Sequence, residues 1–306
     1  MRPTRTRDFI MKKIFGIILT IAGAINMMLY SCSGKDDKSL PIEVSKIVLN
    51  NETCKLTINE EFTLTATVSA GIENYFVVDE PVIWTSGNTA IATVSNGKVT
   101  AKAEGTTIIT AKAGNQTATC EVNVKDGIKI NGVIWAKSNV AAPGTFAAKQ
   151  EDHGMFYQWN RKIGWSIDNP MINSNGGTTW DTSDPVGTTW EKANDPSPAG
   201  WRVPSDNENR SLTDPNHVTS EWTTINGVDG MKFTDKVTGN TLFFPAAVGY
   251  RMSDGSLSLS GRGSSYWSST ANGDGRAFDI YIWHNFEEGP GIAFRVFGFL
   301  VRSVAE

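Results

Sequence analysis

The sequence has few of the residues that catalytic and metal-binding chemistry requires. It holds three histidines and three cysteines in 306 residues. His153, His217 and His284 are scattered, with no second histidine or carboxylate at metal-ligand spacing. No metalloprotease, nucleotide-loop or nucleophile-elbow motif is present either. We therefore expect no enzyme activity, no metal site and no cofactor.

Positive charge is also scarce. The formal net charge is −4, and no basic stripe follows residue 40. Proteins that bind nucleic acid concentrate lysine and arginine on one surface, because they must neutralise phosphates. The charge distribution therefore excludes nucleic acid as a partner.

The N-terminal residues have the layout of an export signal. Several arginines and lysines precede an uncharged run at residues 14–34, as in a signal peptide. The run contains Ser31 followed by Cys32, which resembles the lipobox of bacterial lipoproteins. That resemblance implies a signal peptide at 1–31 and a tether at 32–43 whose Cys32 is lipidated. A transmembrane anchor is the alternative, since the run is about long enough to span a bilayer.

The tetrapeptide at residues 35–38 contains two aspartates directly after the expected lipidation site. In some Gram-negative lineages such an acidic cluster resembles a signal that sends lipoproteins to the cell exterior. We therefore expect a protein anchored in the outer membrane through its lipid and facing outward. The alternative is that these charges only solvate a tether.

Residues 44–125, the first module, alternate between apolar and polar side chains and break at turn residues. Short alternating strands predict a β-sandwich, and Asn96-Gly97 predicts a hairpin turn. Cys54 and Cys120 fall at core-facing positions, so an exported protein permits a disulfide between them. Two unpaired core thiols are the alternative.

The first module resembles the bacterial Ig-like group 2 domain family. Such domains act mainly as spacers or stalks, which the resemblance implies here. The matching segments follow the order of the family, at residues 64–68, 83–86, 91–94, 97–101 and 118–122.

The second module, residues 126–306, contains a proline-rich stretch around a tryptophan. Pro198 and Pro204 remove backbone donors and stiffen the chain on both sides of Trp201. We predict that Trp201 is a core anchor. Ser205 stands three residues before Glu208, which predicts a capping box and a short helix.

This stretch resembles the FISUMP family, the major paralogous domain of bacterial surface proteins, whose pattern reads P-x-G-W-x-V-P-[ST]-x-x-E. Further matches are N-G-x-x-W-A, F-P-A-A-x-G-Y-R, Y-W-S-S-T with Trp267, and a closing V-R-x-V. The resemblance implies a C-type-lectin-like fold. It departs at Asp195 and Ser303, where relatives often have cysteine, so their disulfide is absent. The expected fold class is therefore mixed: an all-β Ig-like sandwich, then an α+β, loop-rich C-type-lectin-like domain.

Four residues of the second module are candidates for ligand binding: Tyr250, Arg251, Tyr281 and Trp283. Aromatic faces and a guanidinium suit a glycan or a peptide. The alternative is that the aromatic residues build the core of a module with little regular structure, which we favour for Trp267.

Two functions remain open from the sequence. The first is an adhesin-type surface lipoprotein, with a lectin-like head that binds a glycan or a surface protein on an Ig-like stalk. The second is a structural or assembly component of a surface appendage with no small-molecule ligand. An aromatic platform in a groove would favour the first function, whereas an unpaired strand edge or a broad apolar patch would favour the second.

Overall fold

A computed structural model describes residues 43–71, 76–246, 248–258, 261, 263–273, 275–284 and 287–306. The predicted signal peptide at 1–31 and Cys32 lie outside these residues. Residues from Val44 to Glu306 form one compact unit. None of the helices in the described residues has the length and hydropathy of a membrane span.

The first module is built only from strands in its described part, as the alternation of its sequence predicts. Its ladders run β1-β4-β5, β2-β10-β9-β6 and β3-β8-β7, and β2 pairs with β10 in parallel. Their buried faces enclose one apolar core. The strands are β1 (Val44–Leu49), β2 (Thr53–Thr57), β3 (Glu61–Thr63), β4 (Ala66–Ala70), β5 (Phe76–Val77), β6 (Ile83–Ser86), β7 (Ala92–Ser95), β8 (Lys98–Ala101), β9 (Gly105–Ala113) and β10 (Gln116–Lys125).

The second module is also mostly β-sheet. Its sheets are ordered β11-β12-β25-β15, β14-β13-β24-β19-β20, β16-β17-β18 and β21-β22-β23. The strands are β11 (Gly127–Ile130), β12 (Val133–Ala136), β13 (Phe156–Gln158), β14 (Gly164–Trp165), β15 (Trp201–Arg202), β16 (Val218–Ile225), β17 (Val228–Asp235), β18 (Thr241–Pro245), β19 (Tyr250–Arg251), β20 (Leu257–Ser258), β21 (Gly263–Ala271), β22 (Arg276–Trp283), β23 (Glu287–Phe294), β24 (Gly298–Phe299) and β25 (Val304–Ala305).

Helix is minor in the second module, so the expected α+β balance is corrected to mostly β. Its described residues contain one α-helix of six residues, α1 (Asp206–Ser211), and a three-residue 3-10 turn at Lys192–Asn194. Tryptophans supply the apolar area that longer helices would otherwise bring, since Trp135, Trp159 and Trp267 are fully buried.

Asn-Gly pairs set the hairpin turns in both modules. Asn96 and Gly97, between β7 and β8, have φ of 48° and 80°. Asn131 and Gly132, between β11 and β12, have φ of 46° and 78°. Two successive residues with positive φ make a turn whose twist matches that of the flanking strands. The hairpin predicted at Asn96-Gly97 is therefore present, and Asn131-Gly132 forms a second one.

The joint between the modules is short and closely packed. Strand β10 ends at Lys125 and β11 begins at Gly127. A Cβ atom at Gly127 would lie 2.7 Å from the carbonyl oxygen of Trp135 and 2.9 Å from the ring of Trp201, so only glycine fits there. The Lys129 ammonium of the second module also forms an ion pair with Glu60 of the first.

Trp201 lies in the core beside this joint. Its side chain is 5% exposed and makes an edge-to-face contact with Phe146, with ring centroids 5.4 Å apart. Its strand, β15, pairs with β25 near the C-terminus. The predicted core position of Trp201 is thus the one that the structure shows.

The capping box after Trp201 is complete. Ser205 Oγ accepts a hydrogen bond from the backbone N–H of Glu208 at 3.3 Å, and Glu208 Oε2 accepts one from the backbone N–H of Ser205 at 2.7 Å. The same carboxylate receives two hydrogen bonds from Arg202, at 2.8 and 2.6 Å. These bonds hold the carboxylate ionised and keep the pKa of Glu208 below its usual value, although burial opposes them.

We predict that Trp201→Ala lowers the free energy of unfolding by about 3–5 kcal/mol, because it empties a packed site at the joint. Ser205→Ala removes one cap and should lower it by about 1 kcal/mol. Chemical denaturation of the full chain measures both values. Val237→Ala is the control, since Val237 is 86% exposed and its loss should change little. An unchanged transition for Trp201→Ala would contradict the core role.

Candidate functional site

The candidate site is a groove beside the β21-β22-β23 sheet, with a volume of about 440 Å³. We call it the aromatic groove. It combines aromatic side chains with a few polar ones. Its lining includes Tyr250, Tyr281, Trp283, Phe294, Phe297, Phe299, Ser265, Arg276, Asp279 and Gly291.

Alternation along β22 decides which side chains face the groove. Asp279, Tyr281 and Trp283 are two residues apart, so they lie on one face of the sheet, while Ile280 and Ile282 are buried on the other. The sequence of β22 therefore has an amphipathic strand pattern whose outward face is aromatic and acidic.

Glycines on the neighbouring strands give these side chains room. Gly263 pairs with Trp283, and Gly291 pairs with Asp279. A Cβ atom at Gly263 would lie 2.7 Å from the Trp283 ring, and one at Gly291 would lie 2.6 Å from the Asp279 carboxylate. The Trp283 ring thus lies over the backbone of β21, and the Asp279 carboxylate lies over the backbone of β23. Together they form the floor of the groove.

The opposite wall comes from β19 and the segment before β24. Tyr250 and Phe297 are stacked with ring centroids 5.7 Å apart. Phe299 contacts Tyr250 edge-to-face at 5.5 Å and stacks on Trp267 at 4.2 Å. Because Trp267 is fully buried, it anchors this wall in the core.

Asp279 is the most perturbed acid of the groove. Its side chain is 3% exposed, and burial raises its pKa to about 7. A hydrogen bond from Ser265 opposes this rise, and the carboxylate of Asp206 contributes to it. A buried carboxyl group that titrates near neutral pH is a recurring feature of functional sites.

Three of the four predicted ligand residues meet in the aromatic groove: Tyr250, Tyr281 and Trp283. Sequence reasoning missed Asp279 and Phe294. Asp279 shares the parity of Tyr281 and Trp283 along β22, which is a signal that could have found it. Phe294 stands at the end of β23.

Arg251 does not face the groove, so its assignment as a ligand residue is corrected. Its side chain is fully buried. The guanidinium donates to the carbonyl oxygens of Ser166 and Asp168, each at 2.7 Å, and to that of Gly255 at 2.8 Å. Adjacent residues of a strand point to opposite faces, so Arg251 turns inward where Tyr250 turns outward.

A second cavity of about 640 Å³ lies among the loops around β14. Two of its charged side chains already have partners within the chain. Arg161 pairs with Asp181 and donates to the carbonyl oxygen of Ser183 at 2.8 Å. Nowhere in the described part of the chain do three His, Cys, Asp or Glu side chains group as metal ligands would.

Cys54 and Cys120 are free thiols in this structure, so the predicted disulfide is not formed in it. The two side chains lie within hydrogen-bonding reach of each other on the paired strands β2 and β10. Burial raises the pKa of the Cys54 thiol to about 12, and it also raises that of Cys120. Both thiols are therefore protonated at neutral pH, and the disulfide remains a prediction for the exported protein.

The first module matches a known family over residues 51–122, described as Bacterial Ig-like domain (group 2). Residues 51–122 form a bacterial Ig-like domain. A related sequence is the Ig-like virion protein of Serratia phage KSP90, 37% identical over 87 residues, which are 27% of this chain and 32% of the phage protein. The chain thus spans about a third of the length of that relative.

Among solved structures, domains 4 and 5 of the S-layer protein SbsC are 28% identical over 27% of this chain and 53% of that one, with a TM-score of 0.25. Domains 5–6 of the same protein are 15% identical over 83% and 97% of the two chains, with a TM-score of 0.26. TM-scores this low do not indicate a shared fold. The assignment of the Ig-like domain therefore depends on the sequence match and on the strands of the first module.

We predict that Cys54 and Cys120 are joined when the chain is exported into an oxidising compartment. The bond would close a long loop and raise the free energy of unfolding by about 4 kcal/mol. Peptide mapping without reduction should find the cross-linked pair, and the reduced sample serves as the control. Recovery of both peptides with alkylated cysteines would contradict the prediction.

Proposed function

We propose that this chain is a surface-displayed binding protein whose second module holds a glycan in the aromatic groove. The observation that carries the proposal is the convergence of Tyr250, Tyr281 and Trp283 on one open groove. Flat aromatic faces pack against the apolar face of a sugar ring, while a few polar groups orient its hydroxyls. Ser265 and Asp279 supply such polar groups on the floor. This role is binding rather than catalysis.

In this proposal the Ig-like domain is a spacer. A groove of about 670 Å³ on its described strands is lined by Lys46, Glu52, Glu121 and aliphatic or threonine side chains, without an aromatic ring. The Lys129–Glu60 ion pair and the tight joint at Gly127 hold the two modules together. A head fixed to its stalk in this way keeps the groove at a set distance from the point of attachment. The resemblance of the second module to C-type-lectin-like domains agrees with a ligand-binding head.

We propose further that the chain is anchored by lipid at Cys32 and faces outward from the outer membrane. The sequence of the export segment motivates this, because the thiol follows Ser31 within the uncharged run. Acyl chains together with a cleaved signal would hold the protein at a bilayer without a spanning helix.

A role in assembly is the second candidate, and strand β23 favours it. In the described part of the chain β23 pairs with β22 alone, and its Ile292 and Phe294 are 50% and 47% exposed. An exposed edge can receive a strand from a partner. Pro290, however, stands within β23 and has no N–H to donate. This proline interrupts the hydrogen bonding that a partner strand would need, so we favour glycan binding.

We predict that Trp283→Ala weakens glycan binding at least tenfold while the fold is retained, because Trp283 forms part of the floor. The measurement is a glycan array on the full chain, followed by affinity titration of the strongest glycan. Phe278→Ala is the matched control, since Phe278 lies on the same strand but on the opposite face. Binding that is lost equally in both variants would contradict the assignment of the groove, and binding to no glycan would contradict the function.

We predict that Cys32→Ala abolishes lipid labelling of the protein and releases it from the membrane fraction. In this proposal the thiol of Cys32 receives a diacylglycerol group before the signal is cleaved, so alanine there leaves no acceptor. Metabolic labelling with palmitate in the native host measures the effect, with Cys54→Ala as a control that should keep its label. Undiminished labelling of Cys32→Ala would rule out the anchor.

A further inference from the structure

Asp279 lies on the floor of the aromatic groove with little to balance its charge. Its carboxylate fits over Gly291, where a Cβ atom would lie 2.6 Å from it. Within the described residues its one side-chain hydrogen-bond partner is Ser265, and no ion pair reaches it. A buried carboxylate without a cation is unfavourable, because burial penalises the charged form.

The other charged groups around the floor do not supply that cation. Asp206 at the start of α1 is itself acidic and raises the pKa of Asp279. Arg210 pairs with Asp206 at 2.7 Å. Arg276 also lines the groove, but its guanidinium lies over the Phe294 ring at 4.6 Å, and it forms no ion pair with Asp279 among the described residues.

The aromatic walls favour a cation at the same place. The faces of tryptophan and tyrosine rings carry negative potential and attract an ammonium group within about 6 Å. Tyr281 follows Asp279 on the same face of β22 and, like Asp279, lies against a glycine of β23, while Trp283 and Tyr250 line the same groove. Rings and carboxylate together make a site whose chemistry is complementary to an amine.

We infer that the groove selects glycans that carry a protonated amine, with Asp279 pairing with the ammonium group between the rings. The ligand class is therefore an amino sugar with a free amine, in preference to its N-acetylated counterpart. This inference rests on the proposed glycan-binding function. An acidic sugar is disfavoured, because its carboxylate would meet Asp279 on the floor.

The pairing also predicts the effect of pH. Only the ionised form of Asp279 pairs with the ammonium. Because the pKa of Asp279 is about 7, the ionised fraction rises from roughly a tenth at pH 6 to roughly nine tenths at pH 8. The affinity for a ligand with a permanent positive charge should therefore rise about tenfold over this interval. A neutral ligand should show no such rise.

The test is titration calorimetry of the full chain with oligosaccharide pairs that differ only in a free amine or an acetamide. Oligomers of glucosamine, galactosamine and mannosamine provide three such pairs, and a uronic acid oligomer is the acidic probe. We expect at least one amine oligomer to bind ten times more tightly than its acetylated partner. Asp279→Asn should remove this preference, whereas the control Asp254→Asn, at a turn outside the groove, should keep it.

An N-trimethylated amine oligomer, whose charge does not titrate, provides the pH measurement on the unchanged chain. It makes the test independent of whether Asp279→Asn folds. Acetylated or acidic oligomers that bind as tightly as the amine oligomers, or an affinity that is flat between pH 6 and pH 8, would overturn the inference and leave glycan binding intact. Binding of no oligosaccharide here or on the array would instead overturn the proposed function itself.

Discussion

Buried guanidinium groups that donate to backbone carbonyl oxygens hold the second module together. Arg251, Arg295 and Arg302 are at most 5% exposed, and each lies over an aromatic ring. Loops outside regular ladders leave carbonyl oxygens that need donors once they are buried. The planar guanidinium meets several of them at once, as Arg302 does with the carbonyl oxygens of Ala136 and Phe243 at 3.1 and 2.9 Å. Burial lowers the pKa of Arg302 to about 10, so it stays charged at neutral pH.

The same arginines position the aromatic groove. Arg295 follows Phe294 and donates to the carbonyl oxygens of Arg276 and Gly273, both at 2.9 Å, which ties the end of β23 to the start of β22. Arg251 anchors β19 from within, so Tyr250 is held facing outward. The walls of the groove thus stand on a rigid interior rather than on free loops, which is what a preorganised binding site needs.

Local signals predicted the parts of the fold that depend on neighbouring residues. The Asn-Gly turns, the capping box at Ser205 and the buried Trp201 all follow from a few consecutive positions. The balance of helix and strand could not be predicted in this way. It depends on which segments pair across the module, as β15 does with β25. The groove was partly predicted. Tyr250, Tyr281 and Trp283 could be named because aromatic side chains suit a ligand, but strand alternation places Arg251 on the face opposite Tyr250.

Asp279 suits ligand binding in the groove but lowers the free energy of unfolding when it is ionised. The pKa of Asp279 in the folded state, about 7, lies above the ordinary value of 3.8 for an aspartate. The folded state therefore binds this proton more tightly, so the contribution of Asp279 is most favourable below about pH 4 and is lost as pH rises through 7. An asparagine would fill the same space without a charge to bury, so packing alone does not require an acid here. A cation on the ligand would offset the cost of burying ionised Asp279. Binding of such a ligand should therefore raise the free energy of unfolding at the pH values where Asp279 is ionised.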